Sequence, residues 1–395
     1  MNNKLKLRLI FSSLSFVLLF CLNNVYAKDN LEDIESSIDY FFEKRSDINT
    51  RKLSLDSHNV GASKLNNINN VDKQILDKIK VRDPKLKQYF LDYLKLEEVT
   101  YSKAKLKEDI INEDISKEIK HDGDKIIVDV VRKKDSIFTI DGIKSDDIST
   151  EVARYTFVFD ANTHELLDYI PESTEEKLML EADMKEIIRK EILEREKEEL
   201  LFSKEKEKFE NKDIMNNNNT NVDVSISSYS EHNFDRNSMV NYANKYAYSR
   251  NPNYGDFSKL GGDCTNFVSQ IIKAGGAPFD TTGSYTWYYY NMNNRSPSWS
   301  GVWYLYNYLI NNDYIGPQGK LANTNEILYG LKVGDPVFID FDRDGTLDHA
   351  VSITSYQIGD SSKTKVASHT IDRKNYPLSN YRGRMNYVRL KVFGK

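Results

Sequence analysis

The chain has 395 residues, 55 basic against 60 acidic, for a net charge of −5, and 39% of its residues are hydrophobic. Its length exceeds one ordinary core, so two domains are expected. No basic block is large enough to suggest a nucleic acid partner.

The N-terminus reads as an export leader. Lys4, Lys6 and Arg8 precede an apolar run from Leu9 to Leu22, and Val25-Tyr26-Ala27 offers a cleavage site. The run has 14 residues, short of the roughly 20 that span a bilayer, so a cleaved signal peptide over residues 1–27 is preferred to an anchor. No membrane contact beyond it is expected. Phe20 before Cys21 argues against lipidation. Cleavage leaves 52 basic residues, a net charge of −8, and Cys264 as the single cysteine. An odd cysteine in an exported protein is an intermolecular disulfide or a reactive thiol.

Residues 28–172 read as an α+β domain. Helical spacing covers 31–46 and 70–95, followed by strand-like runs at Val99–Tyr101, Ile126–Val131, Ile137–Ile140, Tyr155–Phe159 and Leu166–Ile170. This order suggests a cystatin-like curved sheet. His58, His121 and His164 have no metal-binding spacing. Ser173-x-x-Glu176 is a capping box opening a charged helix, and an Asn and Ser-rich stretch follows to residue 228. Leu180, Met184, Ile187 and Ile188 give its first half an apolar stripe for docking, whereas the second half reads as a solvated spacer.

Residues 229–395 differ in composition and are rich in Tyr and Trp. Phe267, Val268, Ile271 and Ile272 stand three, four, seven and eight residues after Cys264, which places Cys264 on the buried stripe of an amphipathic helix. Gly261-Gly262 precedes this helix, Gly275-Gly276 ends it, and Asp263 is the candidate N-cap. First-turn amides favour a thiolate and can serve an oxyanion. Two strands follow, one beginning at His349 and one carrying His369. A helix-borne cysteine with histidines on neighbouring strands supplies nucleophile, base and orienting group. Residues Ser300 to Leu309 read as a helix. Some of Trp287, Tyr288 and Trp299 are expected to line a cleft.

The run Gly261-Gly262-Asp263-Cys264-Thr265-Asn266-Phe267-Val268-Ser269-Gln270 resembles the signature of the putative amidase domain of secreted bacterial proteins. Ser298-Trp299, Gly334-Asp335, Asp340 to His349, His369-Thr370 and Asp372-Arg373 match it as well. More distantly, the layout resembles NlpC-type and CHAP peptidoglycan hydrolases. The resemblance implies a papain-like fold for about residues 235–395, with Cys264 as nucleophile, His349 as general base and His369 as its orienting group; Asp372 is the alternative third residue.

Asp340, Asp342, Asp344 and Asp348, with Gly345 between them, follow the spacing of a calcium loop, although position 12 is Val351 and the flanks are strands. The competing reading is an acidic turn. No cofactor is required, and calcium is the one candidate. The expectation is therefore an α+β protein comprising a leader, an N-terminal domain, a charged helical spacer and a papain-like thiol amidohydrolase acting on peptidoglycan or a peptide. The competing functions are an inactive wall-binding or adhesion module, and a secreted protease or acyl transferase acting on proteins.

Overall fold

The computed structural model of the protein describes residues 31–47, 50, 78–140, 142–212, 230–283 and 285–394. The expected leader, His58 and the Asn-rich run after residue 212 lie outside these residues. Among the described residues no helix is long and apolar enough to cross a membrane.

Two helices, α1 (31–47) and α2 (Pro84–Lys103), pack on a sheet of β1 (Leu106–Asp122), β2 (Lys125–Ile140), the short β3 (Ile143–Lys144), β4 (Ser149–Asp160) and β5 (Leu166–Pro171). Ile34, Ile38, Phe41, Phe42 and Phe90 meet Val128, Val130, Phe157 and Phe159 in this core. Val99–Tyr101, expected as a strand, instead completes α2. There the Thr100 hydroxyl donates to the Leu96 carbonyl at 2.9 Å, and Tyr101 Oη donates to Glu108 at 2.9 Å. The two expected strands 126–131 and 137–140 are one strand, β2, buried at alternate positions throughout. Its polar middle is tolerated because Arg132 and Lys134 pair with Glu113 and Glu108 of β1.

Next come α3 (Thr174–Glu181), whose first turn is capped by the Ser173 hydroxyl accepting the Glu176 N–H, and α4 (Met184–Lys212). Met184, Ile187 and Ile188 join the N-terminal core, while Leu200 and Leu201 are exposed. Between these stretches α4 is not a free spacer. Glu191 pairs with Arg343 at 2.9 Å and accepts the Gly383 N–H, and Arg195 donates to the carbonyls of Ser379 and Tyr381.

In the C-terminal part, β6 (Glu231–His232), α5 (Arg236–Tyr246), α6 (Cys264–Ala274), a small hairpin of β7 (Tyr289–Asn291) and β8 (Asn294–Arg295), α7 (Pro297–Ser300) and α8 (Val302–Asn311) come first. Then follow β9 (Gly316–Leu321), α9 (Thr324–Tyr329), β10 (Pro336–Asp340), β11 (His349–Ser355), β12 (Lys365–Ser368), β13 (Asp372–Pro377) and β14 (Arg384–Gly394). The main sheet is antiparallel, with order β1-β2-β4-β13-β12-β11-β10-β14-β6. Its continuity rests on β13 against β4, where Asp372 faces Val152 and Lys374 faces Thr150. One mixed α and β structure with a large antiparallel sheet thus includes strands of both parts. Helix α6 covers one face through Phe267, Val268 and Ile271 on Phe338, Ala350 and Ala367. On the other side Val337, Ile339, Val351 and Tyr381 share a core with Tyr101, Leu106, Phe138 and Ile140 from the N-terminal part.

Candidate active site

Cys264 is the first residue of α6, as its spacing predicts, and is buried. Gly261 and Gly262 have φ of +102° and +124°, the left-handed region where only glycine is unstrained. A Cβ on Gly262 would also approach Thr370 Oγ1 to 3.1 Å, the oxygen that accepts the Asp263 N–H at 3.1 Å. The polar residues of the motif serve to fix this turn. Asn266 Nδ2 donates to the Gly255 carbonyl and to Asp263, Trp299 Nε1 donates to Asn266 at 2.7 Å, Trp287 Nε1 donates to Ser269, and Tyr242 Oη donates to Gln270. Trp287 and Trp299 are fully buried, so they support the cysteine helix and do not line a cleft.

Cys264 meets the start of β11. Thr265 Oγ1 lies 3.8 Å from the Cys264 sulfur, and the Thr265 hydroxyl and the Ala350 and Thr265 N–H groups act on the thiol in the sense that favours its thiolate. His349 lies between the rings of Phe341 and Tyr381, with centroids at 5.7 and 5.8 Å. Among the described residues no hydrogen bond joins the thiol to this imidazole. Burial pushes the thiol pKa up, against the Ala350 amide and the Thr265 hydroxyl, which favour the thiolate. Burial, and then the nearby positive Arg373, push His349 down to about 3. The dipole argument for a thiolate is thus outweighed by desolvation in this closed arrangement.

His369 does not orient His349. Its Nδ1 lies 2.6 Å from Asp263 Oδ2, its Nε2 lies 2.8 Å from the Tyr246 carbonyl oxygen, and its ring stacks on Phe267 at 3.7 Å. Asp263 occupies the N-cap position without a side-chain cap bond, because its carboxylate is engaged elsewhere. It holds His369, accepts from Phe257 N–H and Asn266, and faces Arg250 Nε at 3.2 Å. This leaves the first-turn amides of α6 without a carboxylate cap. Asp372 is buried and accepts from Arg250 at 2.9 Å, so it too is committed away from His349. The pair His369–Asp263 fixes the cysteine turn, while Phe341 and Tyr381 fix the His349 ring.

A narrow cavity of about 10 Å³ adjoins His349, lined also by Thr370, Ile371, Arg373 and Tyr381 and closed by Ser173, Thr174 and Glu175 from the N-terminal part. That volume holds no more than about one water. Sequence reasoning missed Phe341, Tyr381 and the lining segment Ser173–Glu175; the conspicuous Asp372-Arg373 and Tyr381-Arg382 pairs were the available signals.

Residues 233–390 match the family described as putative amidase domain. The uncharacterized protein YhbB of Bacillus subtilis is 31% identical over 163 residues, covering 39% of this chain and 44% of that protein. The uncharacterized protein YjcM of the same organism is 27% identical over 201 residues, covering 49% of this chain and 43% of that protein. The chain thus spans less than half the length of the curated relatives it matches. No solved structure matches it.

Within the matched domain, the acidic loop joins β10 to His349. Carboxylate oxygens of Asp340, Asp342 and Asp348 lie within 4.8 Å of one another, a spacing able to hold a cation, and Asp344 falls outside this group. Val351, at the position where a calcium loop carries glutamate, is buried in β11. Backbone N–H groups of Asp344 and Gly345 donate to Asp340, and that of Phe341 to Asp348. Burial, with the neighbouring Asp342 and Asp340 charges, raises Asp348 to about 6.

Proposed function

We propose that the domain is an exported thiol amidohydrolase of papain-like type, with Cys264 as nucleophile and His349 as general base, acting on amide bonds of peptidoglycan. The observation that carries this reading is the packing of α6, which begins at Cys264, on β11, which begins at His349, within a segment that matches the putative amidase domain. The sulfur attacks the substrate carbonyl, His349 takes the thiol proton and passes it to the departing amine, and water then hydrolyses the thioester. Amides of the first α6 turn accommodate the oxyanion. Asp263 and His369 position the turn, and no cofactor enters the chemistry. Calcium at Asp340, Asp342 and Asp348 would stiffen the loop that ends at His349.

Burial of both reactive groups favours a second reading, a wall-binding module without turnover. Iodoacetamide labelling of Cys264 across pH 4 to 9, beside His349→Ala, separates the two. Labelling that persists below the free-cysteine pKa of about 8.5 and shifts upward in the variant supports the hydrolase; identical profiles support the module.

A further inference from the structure

Two arginines at the candidate site are neutralised from outside the matched domain. Arg373 lines the cavity at His349, and its Nε and Nη2 lie 2.8 and 2.7 Å from Glu151 Oε2 on β4. Arg382 follows Tyr381, the residue stacked on His349, and its Nε donates to Glu175, which closes the same cavity. All four side chains are buried. Among the described residues neither arginine pairs with a carboxylate of residues 230–394.

Cys264 and His349 are 6% and 5% exposed, and Ser173, Thr174 and Glu175 line the cavity at His349, so withdrawal of that segment opens a way to the His349 side of the site. Withdrawal takes Glu175 from Arg382, and rotation of the Glu151 side chain frees the Arg373 fork while the β13–β4 pairing stays intact. Guanidinium groups in an apolar, aromatic setting are costly without a counter-charge. Arg373 sits over the rings of Tyr376 and Tyr381, at 4.0 and 4.7 Å from their centroids, which holds its planar fork in place as the partner leaves. Such forks suit a carboxylate. Resting on the thiol-hydrolase reading, we propose that Arg373 and Arg382 form a carboxylate-binding subsite for an acidic peptide substrate, and that Glu151 and Glu175 occupy it in the closed chain. The N-terminal part then acts as a tethered surrogate for the substrate's own carboxylate, and an acidic substrate displaces it.

The test compares alkylation of Cys264 by iodoacetate and by iodoacetamide in the full chain, its Glu151→Gln/Glu175→Gln variant, and that variant with Arg373→Gln added. In each reaction the thiolate attacks the methylene carbon, the S–C bond forms, and iodide leaves. The ratio of the two rates isolates the reagent's carboxylate from general exposure of the thiol. The double variant should raise the iodoacetate to iodoacetamide ratio about tenfold, the scale of a charge-assisted hydrogen bond, and Arg373→Gln should abolish the gain. A ratio unchanged by the glutamate substitutions, or indifferent to Arg373, overturns the subsite while leaving the iodoacetamide profile with His349→Ala to judge the hydrolase separately. Labelling by neither reagent overturns the opening that both need. If the double variant melts below assay temperature, the wild-type chain answers the same question: an N-acetylated dipeptide ending in glutamate should protect Cys264 from iodoacetamide and its amidated form should not. Equal protection, or none, refutes the subsite.

Discussion

His349→Gln tests the burial of the histidine through the pH dependence of folding. His349 is 5% exposed, and its pKa falls from the ordinary 6.5 to about 3. A histidine with a depressed folded pKa binds fewer protons folded than unfolded. Its stabilising contribution is therefore whole above about pH 6.5 and is lost as the pH falls towards 3, by about 1.4 kcal/mol per pH unit. Between pH 6.5 and 5 the loss is about 2 kcal/mol. Asp348 next to it acts in the opposite sense, since its folded pKa is raised to about 6 and its protonation favours the folded chain in the same window. Arg373 is charged throughout and Glu175 is tied to Arg382, so both contribute alike in the two proteins. Subtracting the variant's curve from that of the wild type isolates His349. Urea unfolding midpoints at pH 7, 6, 5.5 and 5 should fall more steeply for the wild type, the difference in stability growing by about 2 kcal/mol across the range. Parallel curves would show that His349 is hydrated in the folded chain and would refute the closed site.

Asp263→Asn removes the charge that lies between His369 and Arg250 at 2.6 and 3.2 Å. Breaking a buried pair costs about 3–5 kcal/mol, so thermal melting should show a Tm lower by about 4–6 °C; an unchanged Tm would mean that this cluster does not hold the α6 turn. Millimolar calcium should raise the Tm of the wild type and not of Asp340→Asn, and equal melting of the wild type with calcium and with chelator would remove the metal from the loop.

The local parts of the site were legible in the sequence, and the tertiary parts were not. The apolar spacing after Cys264 and the runs at 336–340 and 349–355 carry their own periodicity, so the cysteine helix and the His349 strand are where the pattern places them. By contrast β1 is full of charges because its outer face is in solvent, and only its pairing along β2 makes it a strand. His369 follows directly on β12, a context that reads the same whether it faces His349 or Asp263; the choice is made by the turn at Gly261-Gly262, which brings Asp263 to it. Nor does anything local reveal that Glu151 and Glu175 cross to Arg373 and Arg382, since both contacts span more than 200 residues.

The central claim is amide cleavage by Cys264, and release of free amino groups from purified peptidoglycan, read by mass spectrometry, tests it most directly. The Glu151→Gln/Glu175→Gln chain, whose Ser173–Glu175 segment is less firmly held, should release new amino termini, and the same chain with Cys264→Ala should release none. Equal release by both, or release by neither, would contradict a thiol amidohydrolase.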